Sequence, residues 1–333
     1  MTKNGPRPGD RNLITDVDGI SVGNATDEKA QSGVTVLRCA GAFIAAVDVR
    51  GGAPGTRETE VLACENLVGR ADAFVLTGGS VFGLAAADGA ASALSADGIG
   101  LRLNGKGPAV PIIPAAVLYD LANGGDKTWG ETPPYRALGA TAVRSASADF
   151  KLGSVGAGRG AMAGTVKGGL GSASLMLDEG FVVGALVAAN PVGSVFAADG
   201  KSFLAWPYEL NDEFGGLAPP AVREKADPFP GLSRLNQPTQ AGSNTTIAII
   251  ATNADLTSVE AKRMAIMAQD GIARAVRPAH TAFDGDVVFA VATAARPLPT
   301  EPQSRHKIVA RLGAAATDCL TRAIARAVYE ARD

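Results

Sequence analysis

Short apolar runs, many of them β-branched, recur along the chain and predict buried strands. They occupy residues 34–39, 43–49, 74–77, 181–189, 245–252 and 287–293. Their lengths and their Val, Ile and Phe content favour strands over helices. Between them, the Ala-rich stretch 81–95 has the length of a helix. Strands that alternate with helices in this way predict an α/β fold.

The last part of the chain gives the clearest helix signals. Thr257-Ser258-Val259-Glu260 is a capping box, with Thr at the N-cap and Glu at the third helical position, and it predicts a helix that continues toward Val276. Near the C-terminus, apolar residues recur at spacings of three or four and predict one buried helix face: Ile308, Leu312, Ala316, Cys319, Ala323 and Ala327. Residues 245–333 therefore predict a self-contained layer in the order strand, helix, strand, helix.

Residues 206–240 interrupt this pattern with a Pro-, Gly- and charge-rich stretch. Two interpretations fit the composition equally well. One is a mobile linker that ends at a backbone cleavage point, and the other is a surface excursion within one domain.

Composition limits the class of protein. Hydrophobic residues make up 46% of the 333 residues and charged residues 19%, which predicts a large core. The formal net charge of −2 gives no general attraction to nucleic acid or to anionic membranes. No apolar run reaches the length of a membrane span, and the polar N-terminus lacks the apolar core of a signal peptide, so a cytoplasmic protein is expected. Cys39, Cys64 and Cys319 lack metal-binding spacing and are expected to be small buried residues.

Residues 242–246, Gly-Ser-Asn-Thr-Thr, run directly into the predicted strand 245–252. This layout suits a protein that cuts its own backbone, because a Thr hydroxyl can attack the preceding carbonyl and form an ester that water hydrolyses. The new N-terminal Thr then carries a nucleophilic oxygen and an α-amine of pKa about 7.7–8.0 that can serve as its base. Taken alone, the residues favour the simpler interpretation of a polar turn before a buried strand.

Asp284-Gly285-Asp286 places two carboxylates on one face of an extended segment just before the predicted strand 287–293. Such a pair can share a proton or orient an amine and a hydroxyl. A turn with solvated acids is the alternative, and a calcium loop would need further oxygen ligands.

Three other motifs resemble catalytic or nucleotide-binding motifs but lack residues or spacing that those motifs require. Gly78-Gly79-Ser80-Val81-Phe82-Gly83 resembles a nucleophile elbow, but Phe82 stands where that motif needs Gly, and the chain has only two histidines. These glycines are therefore expected to serve a tight strand-to-helix turn. Residues 156–160 and 167–169 lack the spacing of nucleotide-binding loops, so no nucleotide cofactor is predicted.

Several stretches together resemble one family. They stand in one order along nearly the whole chain: Ile14-Thr15-Asp16-Val17, Asp48-Val49-Arg50-Gly51-Gly52-Ala53-Pro54-Gly55-Thr56, Leu76-Thr77-Gly78-Gly79-Ser80-Val81-Phe82-Gly83-Leu84, Gly156-Ala157-Gly158, Ala189-Asn190-Pro191-Val192-Gly193, Asn244-Thr245-Thr246-Ile247 and Asp284-Gly285-Asp286. The set is similar to the self-processing aminopeptidases that include L-aminopeptidase/D-esterases and β-peptidyl aminopeptidases. It is most similar to their nylon-oligomer (6-aminohexanoate oligomer) endo-hydrolase branch.

The resemblance implies a four-layer αββα sandwich of N-terminal-nucleophile type. It implies a single domain, 1–333, that cleaves itself into a large chain, 1–244, and a small chain, 245–333. Both Ser243 and Thr245 lie on one strand face, and the family's register selects Thr245 as nucleophile and Asn244–Thr245 as the scissile bond. The family also implies a homotetramer of cleaved heterodimers, without a metal or an organic cofactor.

Position by position, the resemblance implies roles for five further residues. Lys167 and Asn190 stabilise oxyanion charge, Tyr119 positions or donates to the substrate, and Asp284 and Asp286 orient the α-amine. Family aminopeptidases commonly have Gly–Ser at the cleavage site and Ser then Glu at the positions of Asp284 and Asp286, whereas this chain has Asn–Thr and Asp-Gly-Asp. That departure leaves open whether a free substrate N-terminus is required.

We therefore predict an N-terminal-threonine amidohydrolase or aminopeptidase that acts on short peptides, amino-acid amides or ω- and β-amino-acid oligomers. Three alternatives stay open. They are an endo-acting nylon-oligomer hydrolase, an acyltransferase of the ornithine acetyltransferase type, and a non-catalytic protein that keeps the fold.

Overall fold

Helices and strands stack in four layers in the computed structural model, which describes residues 5–216, 227–236 and 244–332. The strands are β1 (Ile20–Asp27), β2 (Ser32–Val49), β3 (Thr56–Arg57), β4 (Arg70–Thr77), β5 (Ala115–Val117), β6 (Met162–Ala163), β7 (Val166–Lys167), β8 (Gly169–Met176), β9 (Val182–Asn190), β10 (Thr245–Ala254) and β11 (Val287–Arg296). The helices are α1 (Ala85–Ala96), α2 (Tyr135–Arg144), α3 (Ser258–Ala275) and α4 (Pro302–Tyr329).

The long strand β2 connects the two sheet layers. The hydrogen-bonded order is β3-β5-β4-β2-β11-β10-β9-β8, with β1 also paired to β2. The first half of β2 pairs with β1 and β4, and its second half pairs with β11. The sequence predicts two strands here, 34–39 and 43–49, and the structure joins them into one. The register with β4 shifts between Arg38 and Phe43, at the point where the two runs were separated.

Three apolar cores separate the four layers. In the central core, Leu37 and Phe74 of one sheet meet Ile249 and Phe289 of the other, and the two Phe rings lie 5.4 Å apart. The alternate residues of β10, among them Ile250, face α3 and α4 in the second core. The third core packs α1 and α2 against β2 and β4. Strands buried on both faces explain the continuous apolar runs in the sequence, and the predicted αββα sandwich is confirmed.

The C-terminal segment has the predicted order β10, α3, β11, α4, but it is not self-contained. Strand β10 pairs in antiparallel fashion with β9, and β11 pairs with β2. The prediction of an independent layer was wrong because inner strands need hydrogen-bonding partners on both edges. The helix α3 begins as predicted, since Thr257 Oγ1 accepts from the Glu260 amide and the Glu260 carboxylate accepts from the Thr257 amide.

Some strands and helices have too weak a hydrophobic pattern to be predicted from the sequence. Strand β8 contains two Gly and two Ser residues that interrupt its apolar pattern, and the sequence did not predict β1 or the short helix α2. The helix predicted from residue 81 begins as a 3-10 turn, Ser80–Leu84, followed by α1. At that turn the Gly79 amide donates to the buried Asp120 carboxylate at 2.8 Å, so the Gly-rich motif is a structural turn, as expected.

Part of the Pro-rich stretch is docked on the protein. The Arg234 amide donates to the Val192 carbonyl at 2.9 Å, and the Thr165 amide donates to the Leu232 carbonyl at 3.0 Å. For residues 227–236 the surface-excursion interpretation is therefore correct. Residues 217–226 and 237–243, which include Ser243, lie outside the described residues.

Cys39 and Cys319 are buried, as predicted, and Cys64 is half-buried. Within the described ranges, none of the helices combines the length and the apolar character that crossing a membrane requires.

Candidate active site

Thr245 is the first residue of β10 and is only 2% exposed. It lies opposite Asn190, the last residue of β9, in the antiparallel pair. The preceding residue, Asn244, is fully buried and forms a parallel bridge with Asp284. The predicted scissile peptide is thus held between β9 on one side and the segment before β11 on the other.

The carbonyl oxygen of Asn244 has two donors. The Thr245 hydroxyl contacts it, and the Gly285 amide donates to it at 3.0 Å. The hydroxyl is therefore next to the carbonyl that it would attack. A backbone N–H already points at the oxygen that would gain negative charge.

Asp286 connects the nucleophile's strand to the acidic segment. Its Oδ1 accepts from the Thr246 amide at 2.7 Å, one residue after Thr245. Its Oδ2 accepts from the backbone amide of His280 at 3.2 Å and lies 2.8 Å from His280 Nδ1. The carboxylate is only 1% exposed, so these contacts hold it in a nearly dry position.

Asp284 is equally buried and serves the other side of the site. Its Oδ1 accepts from the Val192 amide at 3.0 Å, and its Oδ2 accepts from the Thr281 amide and hydroxyl at 3.0 and 2.7 Å. Burial, and then the charge of Asp286, raise the pKa of Asp284 to about 6. The pair is thus a buried, mutually repelling pair rather than a turn with solvated acids.

Asn190 brings Tyr119 to the site. The Asn190 Oδ1 accepts from the Met162 amide at 2.9 Å, and Nδ2 donates to the Tyr119 carbonyl at 3.3 Å. Strand register therefore places Asn190 opposite Thr245, and Asn190 in turn binds the backbone carbonyl of Tyr119.

Lys167 reaches the same region through the β6–β7 hairpin. It stands opposite Met162, the residue whose amide Asn190 holds. The Lys167 side chain is exposed to solvent, unlike the other predicted site residues. The structure places it at the rim of the site.

The motif at residues 48–56 binds the backbone of the acidic segment, residues 284–286. The amides of Arg50 and Gly51 donate to the Asp286 carbonyl at 3.0 and 3.2 Å, and the Ala53 amide donates to the Asp284 carbonyl at 2.9 Å. This loop therefore holds the backbone of the acidic pair, which explains why it belongs to the motif set.

Sequence reasoning missed Arg234. Its Nη2 donates to the carbonyls of Met162, Asn190 and Pro191 at 2.8, 3.0 and 3.0 Å. Burial lowers the pKa of Arg234 to about 10, while the charge of Asp284 acts in the opposite direction. Nothing in a Pro-rich stretch distinguishes such a residue in advance.

Sequence reasoning also gave no role to His280 and Thr281, which bind the two carboxylates. Their closeness to Asp284-Gly285-Asp286 in the chain was the available signal. Among the described residues, no group of three His, Cys, Asp or Glu side chains is arranged to hold a metal ion.

Comparisons with known proteins identify the family of the chain. The model of peptidase family S58 matches residues 12–333. An uncharacterized aminopeptidase of Mycobacterium leprae is 42% identical over 339 residues, covering 96% of this chain and 91% of that protein. A 6-aminohexanoate-oligomer endohydrolase of Kocuria sp. is 32% identical over 333 residues, covering 96% and 86%. The structure of the L-aminopeptidase D-Ala-esterase/amidase of Ochrobactrum anthropi, described as a variant of the Ntn hydrolase fold, superposes with a TM-score of 0.66 at 21% identity, covering 100% of this chain and 90% of that one.

Proposed function

The chain belongs to peptidase family S58 and is a hydrolase of peptide and amide bonds. From the geometry of its site, we propose that it cleaves itself between Asn244 and Thr245. We propose further that the cleaved protein uses Thr245 as an N-terminal nucleophile. The family, the fold and the class of activity predicted from the sequence are confirmed. The cleavage point and the residue roles are our proposal.

The observation that carries this proposal is the shared contact on the Asn244 carbonyl oxygen, from the Thr245 hydroxyl and the Gly285 amide. The Thr245 oxygen attacks the Asn244 carbonyl carbon, and its proton is transferred to the Thr245 nitrogen as the carbon–nitrogen bond breaks. Water then hydrolyses the ester, leaving the Asn244 carboxylate and a free Thr245 hydroxyl. The products are the chains 1–244 and 245–333.

In turnover, the new α-amine of Thr245 accepts the hydroxyl proton as the oxygen attacks a substrate amide, and it returns that proton to the leaving amine. An unperturbed α-amine of pKa about 7.7–8.0 suits this exchange near neutral pH. Asp284 and Asp286 orient the amine from the adjacent segment.

Asn190 and Lys167 supply the oxyanion donors, and Tyr119 positions the substrate. Asn190 lies opposite Thr245, and its Nδ2 bond to the Tyr119 carbonyl is long at 3.3 Å, so a substrate oxygen can replace that partner. Lys167 stands at the solvent-facing rim, where its charge can reach a bound substrate.

The substrate is a short peptide, an amino-acid amide or an oligomer of ω- or β-amino acids. Thr245 is almost fully buried, so a slender, flexible chain is favoured over a folded protein. Endo cleavage of 6-aminohexanoate oligomers is the alternative, supported by the Asn–Thr and Asp-Gly-Asp signatures and by the 32% identical endohydrolase. We propose a cytoplasmic homotetramer of cleaved heterodimers on the family resemblance.

Intact mass and N-terminal sequencing test the proposal. The purified protein should contain two chains, and the small chain should read Thr-Thr-Ile-Ala. The Thr245→Ala variant should remain one chain. The Thr246→Val variant is the matched control, because the buried Thr246 hydroxyl has no hydrogen-bond partner among the described residues, and it should still be cut. A small chain that begins at Ser243, or a single intact and active chain, would contradict the proposal.

A further inference from the structure

His280 touches the site but has no role in the proposed function. Its backbone φ is +55°, in the left-handed region that residues other than Gly seldom adopt. Two contacts with one atom hold it there, because both its backbone amide and its ring Nδ1 reach Asp286 Oδ2, at 3.2 and 2.8 Å. Strained backbone of this kind is stabilised by its surroundings and concentrates at functional sites.

The ring lies between the acidic segment and two other elements. Asp286 faces it from the segment before β11, Arg50 faces it from the end of β2, and the backbone of Gln269 bonds it from α3. The Arg50 charge is itself paired, with Asp48 at 2.9 Å. The His280 side chain is 21% exposed, so its ring can exchange protons with solvent.

The balance of these groups favours the imidazolium. Burial lowers the pKa of His280, but the hydrogen bond and charge of Asp286 and the Gln269 backbone outweigh it, and the pKa lies above its ordinary value. A charged ring can donate from both nitrogens, and it sets a positive charge beside the buried carboxylate pair.

We propose that His280 is a positioning residue for Thr245: its imidazolium holds the Asp286 carboxylate so that Oδ1 accepts the Thr246 amide and fixes the start of β10. The inference rests on the proposed function of Thr245. The chain of contacts is direct, from His280 Nδ1 to Asp286 Oδ2 and from Asp286 Oδ1 to the Thr246 nitrogen at 2.7 Å. Loss of the cation leaves the buried Asp286 carboxylate beside Asp284 without the positive charge of His280.

The rate of self-cleavage is the best measure of the protonation of His280. In the uncleaved precursor Thr245 has no free α-amine, so titration of that amine does not affect the pH profile. Precursor made by brief cell-free translation is moved to buffers from about pH 6 to about pH 9, and the fraction cleaved is followed by mass. The variant is His280→Asn, since Asn tolerates a left-handed backbone and places a neutral N–H where Nδ1 stands. The control is His306→Asn, at the exposed second histidine on α4.

We expect the wild-type rate to fall as pH rises through the raised pKa of His280, since the imidazolium is lost in that direction. His280→Asn should cleave about 10-fold more slowly at neutral pH, because its N–H still donates to the Asp286 carboxylate but carries no charge. It should also lack the alkaline decline, while His306→Asn should match the wild type. His280→Asn with the rate and the alkaline decline of the wild type would overturn the inference.

A second measurement does not depend on the folding of that variant. The Thr245→Ala precursor, labelled in its histidine rings, should show the His280 ring titrating above the ordinary value of about 6.5. A His280 ring that titrates at or below that value would refute a charged His280. A wild-type chain that never cleaves would instead refute the proposed function, so the two failures are distinguishable.

Discussion

The amide of Gly285 donates to the carbonyl oxygen of Asn244 at 3.0 Å, so a residue from the acidic segment binds the peptide that is proposed to break. The same glycine leaves room for the nucleophile. A Cβ atom at residue 285 would lie 2.9 Å from Thr245 Oγ1 and 2.6 Å from the Ala53 carbonyl oxygen. The space beside Thr245 depends on glycine at this position, and a Cβ there would force the Gly285 amide or its neighbours to shift.

We therefore predict that Gly285→Ala slows self-cleavage by about 10²–10³-fold, the loss typical of one misplaced oxyanion donor. Its matched control is Gly231→Ala, since a Cβ there meets nothing within 4 Å. Both precursors are followed by mass after brief translation. Equal rates in the two variants would show that the Gly285 contact is incidental.

A second prediction concerns the acidic pair. Asp284→Asn and Asp286→Asn should each slow self-cleavage, because these carboxylates orient the groups that react, and one general acid–base interaction typically contributes about 10²–10⁴-fold. Asp199 accepts from the Ser202 hydroxyl at 2.6 Å in a solvent-exposed turn, so Asp199→Asn serves as the control for loss of a hydrogen-bonded carboxylate. If both acidic-pair variants mature and turn over like the wild type, the pair has no part in the chemistry.

Asp284 also makes stability depend on pH. Its pKa in the folded chain is about 6, above the ordinary 3.8, so its contribution is fully present below about 3.8 and is lost as pH rises through about 6. Between these values the free energy of unfolding of the uncleaved Thr245→Ala chain should fall relative to that of Thr245→Ala/Asp284→Asn. Urea unfolding at several pH values measures the difference, and parallel curves would show that burial does not raise this pKa.

A fourth prediction concerns the oxyanion donors. Asn190→Ala and Lys167→Ala should lower kcat by about 10²–10³-fold with little change in KM, because their donors act on charge that is present mainly in the transition state. Lys201→Ala, at another exposed lysine, should leave both constants unchanged. Steady-state kinetics on fully cleaved protein separates the two constants. An unchanged kcat removes that residue from the site.

The fifth prediction concerns the substrate. Linear 6-aminohexanoate oligomers, amino-acid anilides and β-peptides should be compared with free and with acylated N-termini. We expect amino-terminal release. Acylation of the substrate should therefore abolish nearly all activity, because the acylated substrate has no N-terminal ammonium group for the site to bind. Product lengths by mass spectrometry distinguish the two modes. Full activity on acylated oligomers would establish endo cleavage instead.

Local patterns in the sequence determined the parts of this protein that depend on neighbouring residues. The apolar run after Asn244 predicted a buried strand because both faces of β10 lie in cores. The capping box at Thr257 predicted the start of α3 because its bonds join residues three apart. Asp284 and Asp286 were paired correctly because an extended segment places residues i and i+2 on one face.

The tertiary structure alone decided which distant segments meet. Asn190 stands opposite Thr245, Arg234 docks on the Asn190 carbonyl, and β2 joins the two sheets, yet no period in the sequence encodes these pairings. The C-terminal layer was predicted to be self-contained for the same reason, since local pattern does not show which strands flank an inner strand. Strand register and packing between remote segments are set by the fold as a whole, because the hydrogen bonds and apolar contacts involved form only when all four layers assemble.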